Sequence, residues 1–147
     1  MSDLSHLYQE IILDHNKRPR HYGILLNSTH SAEGVNSLCG DRIEVFLQIE
    51  AECIRAIQFE AACCAICKAS ASMMASSLTG LSISAAAKQC GLVSDLLSAD
   101  ESMDLELSEA GEIVALSGVR EFPARIKCAM LPWQTYQLAL QQAVLPK

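Results

Sequence analysis

Residues 42–61 have the sequence RIEVFLQIEAECIRAIQFEA, and this stretch decides the fold class. Four hydrophobic residues of its first half share one face, at every second position: Ile43, Val45, Leu47 and Ile49, whereas Phe46 lies on the other face. This period of two predicts a strand with one buried face from Arg42 to Ala51. A weaker alternation predicts a second strand from Ile54 to Ala61, and the short gap between them predicts an antiparallel hairpin.

The segment before the hairpin predicts one helix and a loop. Hydrophobic residues recur at helical spacing from Asp3 to Lys17, and Pro19 disfavours helix in the residue that precedes it. Residues 18–40 show little periodicity and are predicted to form a loop, with a short strand near Glu33–Asn36.

Two helices are predicted directly after the hairpin. Small residues and two methionines follow Cys67, which favours a tightly packed helix with Gly80 as its C-terminal cap. Ser82 is a candidate N-cap for a second helix that runs to about Leu97, and Gly91 is the weak point of that helix.

The last third of the chain contains an acidic stretch, followed by a predicted helix. Residues 95–112 carry seven acidic residues and no basic one, which predicts a solvated loop flanking a short helix near Glu109–Leu116. An acidic binding surface is the alternative. Pro123 suits the first position of a last helix that runs to about Val144.

Strands and helices are therefore segregated along the chain, which indicates an α+β fold. We expect a small antiparallel sheet of about three strands with helices packed on one face. The length of 147 residues suits a single domain over residues 1–147.

The composition narrows the class of function. The net charge of −6 argues against a nucleic-acid binder. The N-terminus lacks the pattern of a signal peptide, and no apolar run approaches the roughly 20 residues of a membrane helix, so we expect a cytoplasmic protein with no membrane partner. Seven cysteines in such a protein indicate metal or sulfur chemistry. Cys53 and Cys90 are expected instead to be small hydrophobic residues of the core.

Three segments carry candidate metal ligands. Cys39 and Asp41 flank Gly40, whose conformational freedom allows a tight turn that aims both side chains at one point, although an ordinary loop has the same pattern. Cys64 lies where a predicted strand meets a predicted helix, and the helix N-terminus favours its thiolate form. Cys128 lies early in the last helix, three residues after Arg125, whose guanidinium would offset the charge of a thiolate cluster.

A redox role is the competing interpretation of the second segment. Cys64 and Cys67 form a C-x-x-C pattern at a helix start, as in thioredoxin-like proteins. The βαβ unit and the proline-bearing strand of that fold are not apparent in this sequence, so we prefer a metal site.

Taken in order, these motifs resemble the U-type iron–sulfur cluster assembly proteins, and within them the SufU branch. The resemblance covers nearly the whole chain and rests on several matching stretches: Leu7-Tyr8, Asp14-His15, Pro19-Arg20, Cys39-Gly40-Asp41-Arg42-Ile43, Cys64-Ala65-Ile66, residues 69–74, Arg125-Ile126-Lys127-Cys128-Ala129 and Trp133. The SufU branch is indicated by Lys127, where scaffold-type members carry histidine, by Arg125, and by the long span Leu81–Val119.

The resemblance implies a zinc ion bound by residues matching Cys39, Asp41, Cys64 and Cys128. It also implies that Cys39 accepts persulfide sulfur from a SufS-type cysteine desulfurase, after a partner histidine replaces one cysteine ligand. The sulfur then passes to an Fe–S scaffold or another acceptor protein. The resemblance thus implies a zinc-dependent sulfurtransferase that accepts sulfur from the desulfurase, rather than an enzyme that completes many turnovers on its own. Two alternatives stay open: a scaffold for a nascent iron–sulfur cluster on the same cysteines, and a docking protein with structural zinc.

The chain departs from the family pattern around the second segment. Ala61 and Cys63 replace usual glycines, and Cys67 replaces a common serine. Cys63 and Cys67 are therefore candidates for alternate ligands, for extra sulfur carriers, or for small packing residues, and Cys63 competes with Cys64 as the ligand. The basic residues 17–21 are a candidate docking surface for the desulfurase or simply a solvated helix end.

Overall fold

A computed structural model describes residues 3–37, 40–98, 111–119 and 122–143. The chain begins with helix α1, Asp3–Lys17, which has the predicted bounds. Three strands follow: β1 His30–Asn36, β2 Asp41–Glu50 and β3 Cys53–Ala62. Four helical segments complete the described part of the chain: α2 Ala65–Leu78, α3 Ile83–Ser98, a 3₁₀ helix Gly111–Val119 and α4 Pro123–Leu140.

The strands form one antiparallel sheet in the order β1-β2-β3. In the central strand, Val45 pairs with Ala32 of β1 and with Phe59 of β3. The predicted hairpin is confirmed, and its two turn residues, Ala51 and Glu52, have φ of 53° and 61°. Two positive φ angles in succession are typical of the type I′ turn, whose twist matches that of the strands.

The helices bury one face of this sheet, as the α+β prediction requires. Helix α4 packs on β1 and β2, whereas α2 packs on β3 and also on α1 and α4. The largest fully buried side chains are shared between sheet and helices: Trp133, Tyr136, Phe59, Ile43, Leu47, Ile54, Ile57, Met73, Met74, Leu78, Leu96 and Leu97. None of the helices in the described ranges combines the length and hydrophobicity that crossing a membrane requires.

Three elements of the structure differ from their predicted bounds or continuity. Strand β1 starts at His30 rather than near Glu33, because its first residues pair with β2 although they do not alternate in hydrophobicity. Helix α3 runs through Gly91 without a break. Helix α4 ends at Leu140 rather than near Val144, and it tolerates Pro132 in its interior.

The acidic stretch is only partly described. Asp95 to Ser98 form the last turn of α3 rather than the beginning of a loop. Residues 99–110, which hold most of the predicted loop, lie outside the described residues. The short helix predicted near Glu109–Leu116 corresponds to the 3₁₀ helix Gly111–Val119, in which Ile113, Ala115, Leu116 and Val119 are buried.

Candidate metal centre

Asp41 is the first residue of β2 and is 2% exposed. Gly40, directly before it, has φ of +72°, a conformation that side-chain-bearing residues rarely adopt, as predicted for this turn. The Asp41 carboxylate is held in place by a residue outside β2. Its Oδ1 accepts a hydrogen bond from the backbone N–H of Cys64 at 3.1 Å. Its Oδ2 lies 4.0 Å from Cys64 Sγ, so the second oxygen is aimed at sulfur.

Cys64 occupies the junction between β3 and α2. It is the N-cap of α2, with extended backbone angles of −70° and 168°, and its Sγ accepts the backbone N–H of Cys67 at 3.5 Å. The N-terminal N–H groups and the dipole of a helix favour negative charge at this position. Cys64 is also exposed, so its sulfur is accessible to a partner.

Cys128 comes from the far end of the chain, in the second turn of α4, and is 3% exposed. The ligand atoms of Asp41, Cys64 and Cys128 all lie within 4.8 Å of one another. Ligands of a tetrahedral zinc ion with bonds of about 2.3 Å would lie about 3.8 Å apart. A shift of about 1 Å would therefore bring these three donors to tetrahedral spacing, and the thiolate and carboxylate donors suit zinc.

Cys39, the fourth predicted ligand and predicted sulfur acceptor, lies outside the described residues. Its neighbour Gly40 is described, and Gly40 leads directly into Asp41. The structure therefore brings together three of the four predicted ligands and leaves the position of Cys39 as a prediction.

The three neighbouring cysteines of the second segment have different surroundings. Cys64, not Cys63, joins Asp41 and Cys128. Cys63 is half-buried, whereas Cys67 is fully buried. Hydrogen bonding between the two thiols lowers the pKa of Cys63 and, together with burial, raises the pKa of Cys67 above its ordinary range. Both residues flank Cys64 in sequence, and neither belongs to the cluster of three donors.

Arg125 is exposed, and its guanidinium carbon lies 4.6 Å from the centre of the Phe122 ring. It also lines a shallow cavity of about 440 Å³ together with Cys64 and Cys128. A second cavity, of about 510 Å³, adjoins it between α1, the start of α2 and the 3₁₀ helix. Arg125 therefore lines the same cavity as two candidate ligands, and its role in supporting their charge stays a prediction.

The remaining cysteines differ from each other. Cys90 is buried in α3, where loss of hydration raises the pKa of its thiol to about 11, so it remains a neutral thiol as expected of a core residue. Cys53 is only half-buried, at the first position of β3.

Part of the basic segment at residues 17–21 makes contacts within the fold. Arg20 forms a salt bridge of 2.6 Å with Asp14 and lowers the pKa of that carboxyl. The backbone N–H of Arg20 donates to the Ser72 hydroxyl at 2.8 Å, and the same hydroxyl lies 2.7 Å from Nδ1 of the buried His15. Arg20 thus helps to hold α1 against α2, which a solvated helix end would not do.

A buried hydrogen-bonded pair that sequence analysis missed fixes α2 against α4. The Ser70 hydroxyl donates to the carbonyl of Ala129 at 2.6 Å and accepts the indole N–H of Trp133 at 2.9 Å. Ala129 directly follows Cys128, so this contact fixes the backbone beside a candidate ligand. A serine within a run of small residues gives no sign of such a role, which only the helix packing shows.

Comparison with known proteins identifies the family. Residues 7–129 match the family described as NifU-like N terminal domain, which covers the strands, the three-donor cluster and the first turns of α4. The chain belongs to this family. The SufU-type resemblance inferred from the motifs is confirmed, because the chain is 38% identical over 139 residues to the zinc-dependent sulfurtransferase SufU of Bacillus subtilis strain 168, covering 92% of this chain and 90% of that protein.

Two further matches agree with the family. The iron–sulfur cluster assembly scaffold protein IscU of Streptococcus pyogenes serotype M1 is 34% identical over 143 residues, covering 97% of this chain and 88% of that protein. A crystal structure of the N-terminal part of a NifU-like protein from Brucella abortus superposes with a TM-score of 0.82 over 96% of each chain. At 20% identity, this last match shows the shared fold alone.

Proposed function

We propose that this protein acts in iron–sulfur cluster assembly as a sulfur carrier, and that Cys39, Asp41, Cys64 and Cys128 bind zinc. The observation that carries the proposal is the convergence of Asp41, Cys64 and Cys128, from three distant parts of the chain, within 4.8 Å. A similar protein is named a zinc-dependent sulfurtransferase, which favours zinc and sulfur transfer as the chemistry of this donor set.

The donor set suits zinc in both charge and geometry. Two cysteine sulfurs and one carboxylate converge in the described residues, and the backbone N–H of Cys64 already positions the carboxylate of Asp41. When bound, zinc would keep the cysteine sulfurs deprotonated and less reactive until one of them is released. We assign the fourth position to Cys39, because Gly40 joins it directly to Asp41.

The proposed reaction is the transfer of one sulfur atom from a SufS-type cysteine desulfurase to Cys39. The Cys39 thiolate attacks the outer sulfur of the desulfurase persulfide, the bond between the two persulfide sulfurs breaks, and the desulfurase leaves as a thiolate. The exposed side chain of Arg125, which lines one cavity with Cys64 and Cys128, would stabilise the negative charge of the incoming persulfide. The sulfur then passes to a scaffold or another acceptor protein.

The ligand assignment predicts the metal content of purified protein. We expect about one zinc per chain, as one four-ligand site allows, and lower retention in Cys39→Ala, Asp41→Ala, Cys64→Ala and Cys128→Ala. Cys90→Ala removes a buried thiol outside the cluster and should retain its zinc. Elemental analysis after dialysis against a chelator checks this prediction. Folded, metal-free wild-type protein from zinc-replete medium would exclude the site.

The sulfur-transfer role predicts a response of the desulfurase. Adding the zinc-loaded protein to its cognate desulfurase should raise cysteine turnover, and peptide mass spectrometry should locate a persulfide on Cys39. Arg125→Ala should lower this stimulation, whereas Arg125→Lys, which keeps the positive charge but loses the planar group that stacks on Phe122, should retain part of it. Unchanged turnover with the wild-type protein would contradict sulfur transfer.

A scaffold role is the second candidate, because similar proteins are named IscU scaffolds and the same cysteines could bind iron. It predicts that iron and sulfide assemble a stable coloured cluster on the protein while desulfurase turnover stays unchanged. If the protein neither stimulates the desulfurase nor holds a cluster, the zinc is structural and the protein acts by docking.

A further inference from the structure

The outer edge of β1 is an open edge of the sheet. In an antiparallel ladder, the backbone groups of every second residue point away from the paired strand. The N–H of Ser31 points outward and donates to the carbonyl of Gln142 at 3.2 Å, so the backbone groups of Glu33 and Val35 point outward as well. In the described part of the chain, these two residues have no backbone partner on that side. An unpaired edge of this kind can accept a further strand.

The chain already adds a short segment to this edge. Ala143, after the end of α4, forms an antiparallel bridge with His30 at the start of β1. The open part of the edge lies further along the strand, at Val35, which precedes Cys39 by only four residues. A strand added there would therefore end close, along the chain, to the proposed sulfur-accepting residue.

A groove of about 410 Å³ runs along this edge, between β1 and α4. Its apolar lining comes from three residues of α4 and from a residue of β1 that is 55% exposed: Ile126, Met130, Leu131 and Val35. Lys127 supplies the charged group of the described lining, and it forms no ion pair within the described ranges. A complementary occupant has an apolar side chain for the floor of the groove and a carboxylate for Lys127.

The groove lies on a different side of α4 from the cavity that Arg125 lines with Cys64 and Cys128. Among the described residues, the two cavities share none of their lining. Because an α-helix has about 3.6 residues per turn, Arg125 and Cys128 lie on one face of α4, whereas Lys127 and Met130 lie on another. The proposed function assigns the Arg125 side to the incoming persulfide, so the β1 side is free for a second partner.

We propose that the open edge of β1 and this groove dock an extended segment of the protein that takes sulfur from Cys39. The segment adds to the sheet antiparallel to β1, as Ala143 does, with an apolar side chain against Met130 and a carboxylate beside Lys127. The proposal rests on the proposed function, because it concerns the acceptor of the sulfur that Cys39 carries. It adds the surface on which that acceptor binds and the chemistry that recognises it.

The antiparallel direction places the beginning of the added strand next to the end of β1, from which the chain leads to Cys39. A cysteine just before that strand is thus the residue that receives the sulfur. Its thiolate attacks the outer sulfur of the Cys39 persulfide, the bond between the two persulfide sulfurs breaks, and Cys39 leaves as a thiolate with the electron pair of that bond. The acceptor becomes the persulfide, so the step needs neither an oxidant nor a reductant.

The probe for this surface is the peptide acetyl-Cys-Gly-Asp-Val-Leu-Thr-Val-amide. In the proposed register, its first valine and its threonine lie opposite Val35 and Glu33 and exchange backbone hydrogen bonds with them, whereas its aspartate and leucine face the groove. The matched control peptide is N-methylated at that valine and threonine, which keeps the side chains and the charge but removes two N–H donors. We expect the zinc-loaded full chain to bind the probe about tenfold more tightly than the control. In nuclear magnetic resonance spectra, the probe should shift the amide signals of Glu33 and Val35.

Variants of the protein test the same contacts from the other side. Val35→Pro removes an outward N–H without removing a hydrogen bond to β2, and proline is tolerated on edge strands. It should weaken binding of the probe about fivefold, whereas Val35→Thr, which keeps the N–H, should bind the probe like the wild type. Lys127→Gln should weaken binding about twofold to fivefold, as expected of an exposed ion pair. The N-methylated peptide tests the edge even if Val35→Pro does not fold.

Sulfur transfer is measured after Cys39 has been loaded by the desulfurase with cysteine and both have been removed. Below saturation, the probe should take up sulfur about tenfold faster than the N-methylated peptide, as mass spectrometry of the peptides shows. Equal binding and equal sulfur uptake by the two peptides would overturn the proposal. Amide shifts that spare Glu33 and Val35 would overturn it as well.

Zinc content and the persulfide on Cys39 are measured in the same samples. If both are absent from the wild type, the proposed function fails, whereas binding of the probe is measured independently of both. If both are present while the two peptides behave alike, the docking surface alone is rejected. If Val35→Pro slows the loading of Cys39 by the desulfurase, the groove serves the sulfur donor, and its assignment to the acceptor is wrong.

Discussion

Gly34 controls how closely β1 and α4 approach. A Cβ atom at this position would lie 1.9 Å from Oγ1 and 3.1 Å from Cβ of Thr135, and 3.3 Å from a methyl group of Leu131. A contact of 1.9 Å does not occur between folded side chains, so the absence of a side chain at residue 34 allows the helix to lie against the strand. The position of α4, and with it the position of Cys128, depends on this close approach.

Gly34→Ala should therefore destabilise the fold by about 1–3 kcal/mol, the usual cost of overpacking. Urea denaturation followed by circular dichroism measures the change. Gly91→Ala is the matched control: a Cβ there meets nothing within 4 Å, so we expect about 0.5–1 kcal/mol of stabilisation from the helix preference of alanine. Thr135→Ala should recover part of the loss in a double variant, and equal stability of Gly34→Ala and wild type would contradict this account.

At the scale of elements, the hairpin turn is held in a conformation that its residues disfavour. Ala51 and Glu52 have φ of 53° and 61°, where side chains clash with the backbone. The turn is fixed by its surroundings, because the strands pair on both sides and the Glu52 carbonyl accepts the N–H of Ile83 at 2.9 Å. The pairing of β2 with β3 thus determines the conformation of the turn, and the turn residues do not determine the pairing.

Replacing Ala51-Glu52 with Asn-Gly, the preferred pair of a type I′ turn, should stabilise the protein by about 1–2 kcal/mol. Thermal unfolding followed by circular dichroism checks this prediction through a raised midpoint. The control is Ala56→Gly, inside β3, which introduces glycine without relieving a positive φ and should lower stability. A double turn variant no more stable than the wild type would show that the turn is unstrained.

The elements that sequence could predict are those encoded by local pattern. Alternation specified β2 and β3, and Ser82 capped α3 by accepting the N–H of Ala85 at 3.1 Å. Strand β1 was only half predicted, because His30 to Ala32 become a strand through pairing with β2. Gly91, the predicted weak point of α3, does not interrupt the helix, because one glycine costs about 1 kcal/mol, less than the burial of Val93, Leu96 and Leu97 provides.

The candidate site, like the secondary structure, could be predicted from the sequence only in part. Asp41 and Cys64 lie at neighbouring ends of the hairpin, since Arg42 pairs with Ala62, so a predicted hairpin already implies that they are close. The approach of Cys128 depends on how α4 packs, which no local pattern encodes, and only the family resemblance supplied it.

At the scale of the whole molecule, the site and the core are joined by Ser70. Its hydroxyl connects α2 to α4 through the Ala129 carbonyl and the Trp133 indole, and all of these groups are buried. Cys64 begins the same helix as Ser70, and Cys128 directly precedes Ala129. Any change in this contact therefore alters the spacing between two candidate ligands as well as the packing of the core.

Ser70→Ala should consequently lower both stability and zinc affinity. Loss of the hydroxyl leaves a buried indole N–H without this acceptor, which costs about 1–3 kcal/mol, and the released α4 should weaken zinc binding about tenfold. Ser77→Ala is the control, because in the described part of the chain its hydroxyl donates to the Met74 carbonyl within α2 at 3.3 Å. This change should leave both quantities nearly unchanged. Urea denaturation of the metal-free protein and competition with a zinc chelator measure the two effects separately. Reduced stability with unchanged zinc affinity would mean that the ligands keep their spacing without the contact between α2 and α4.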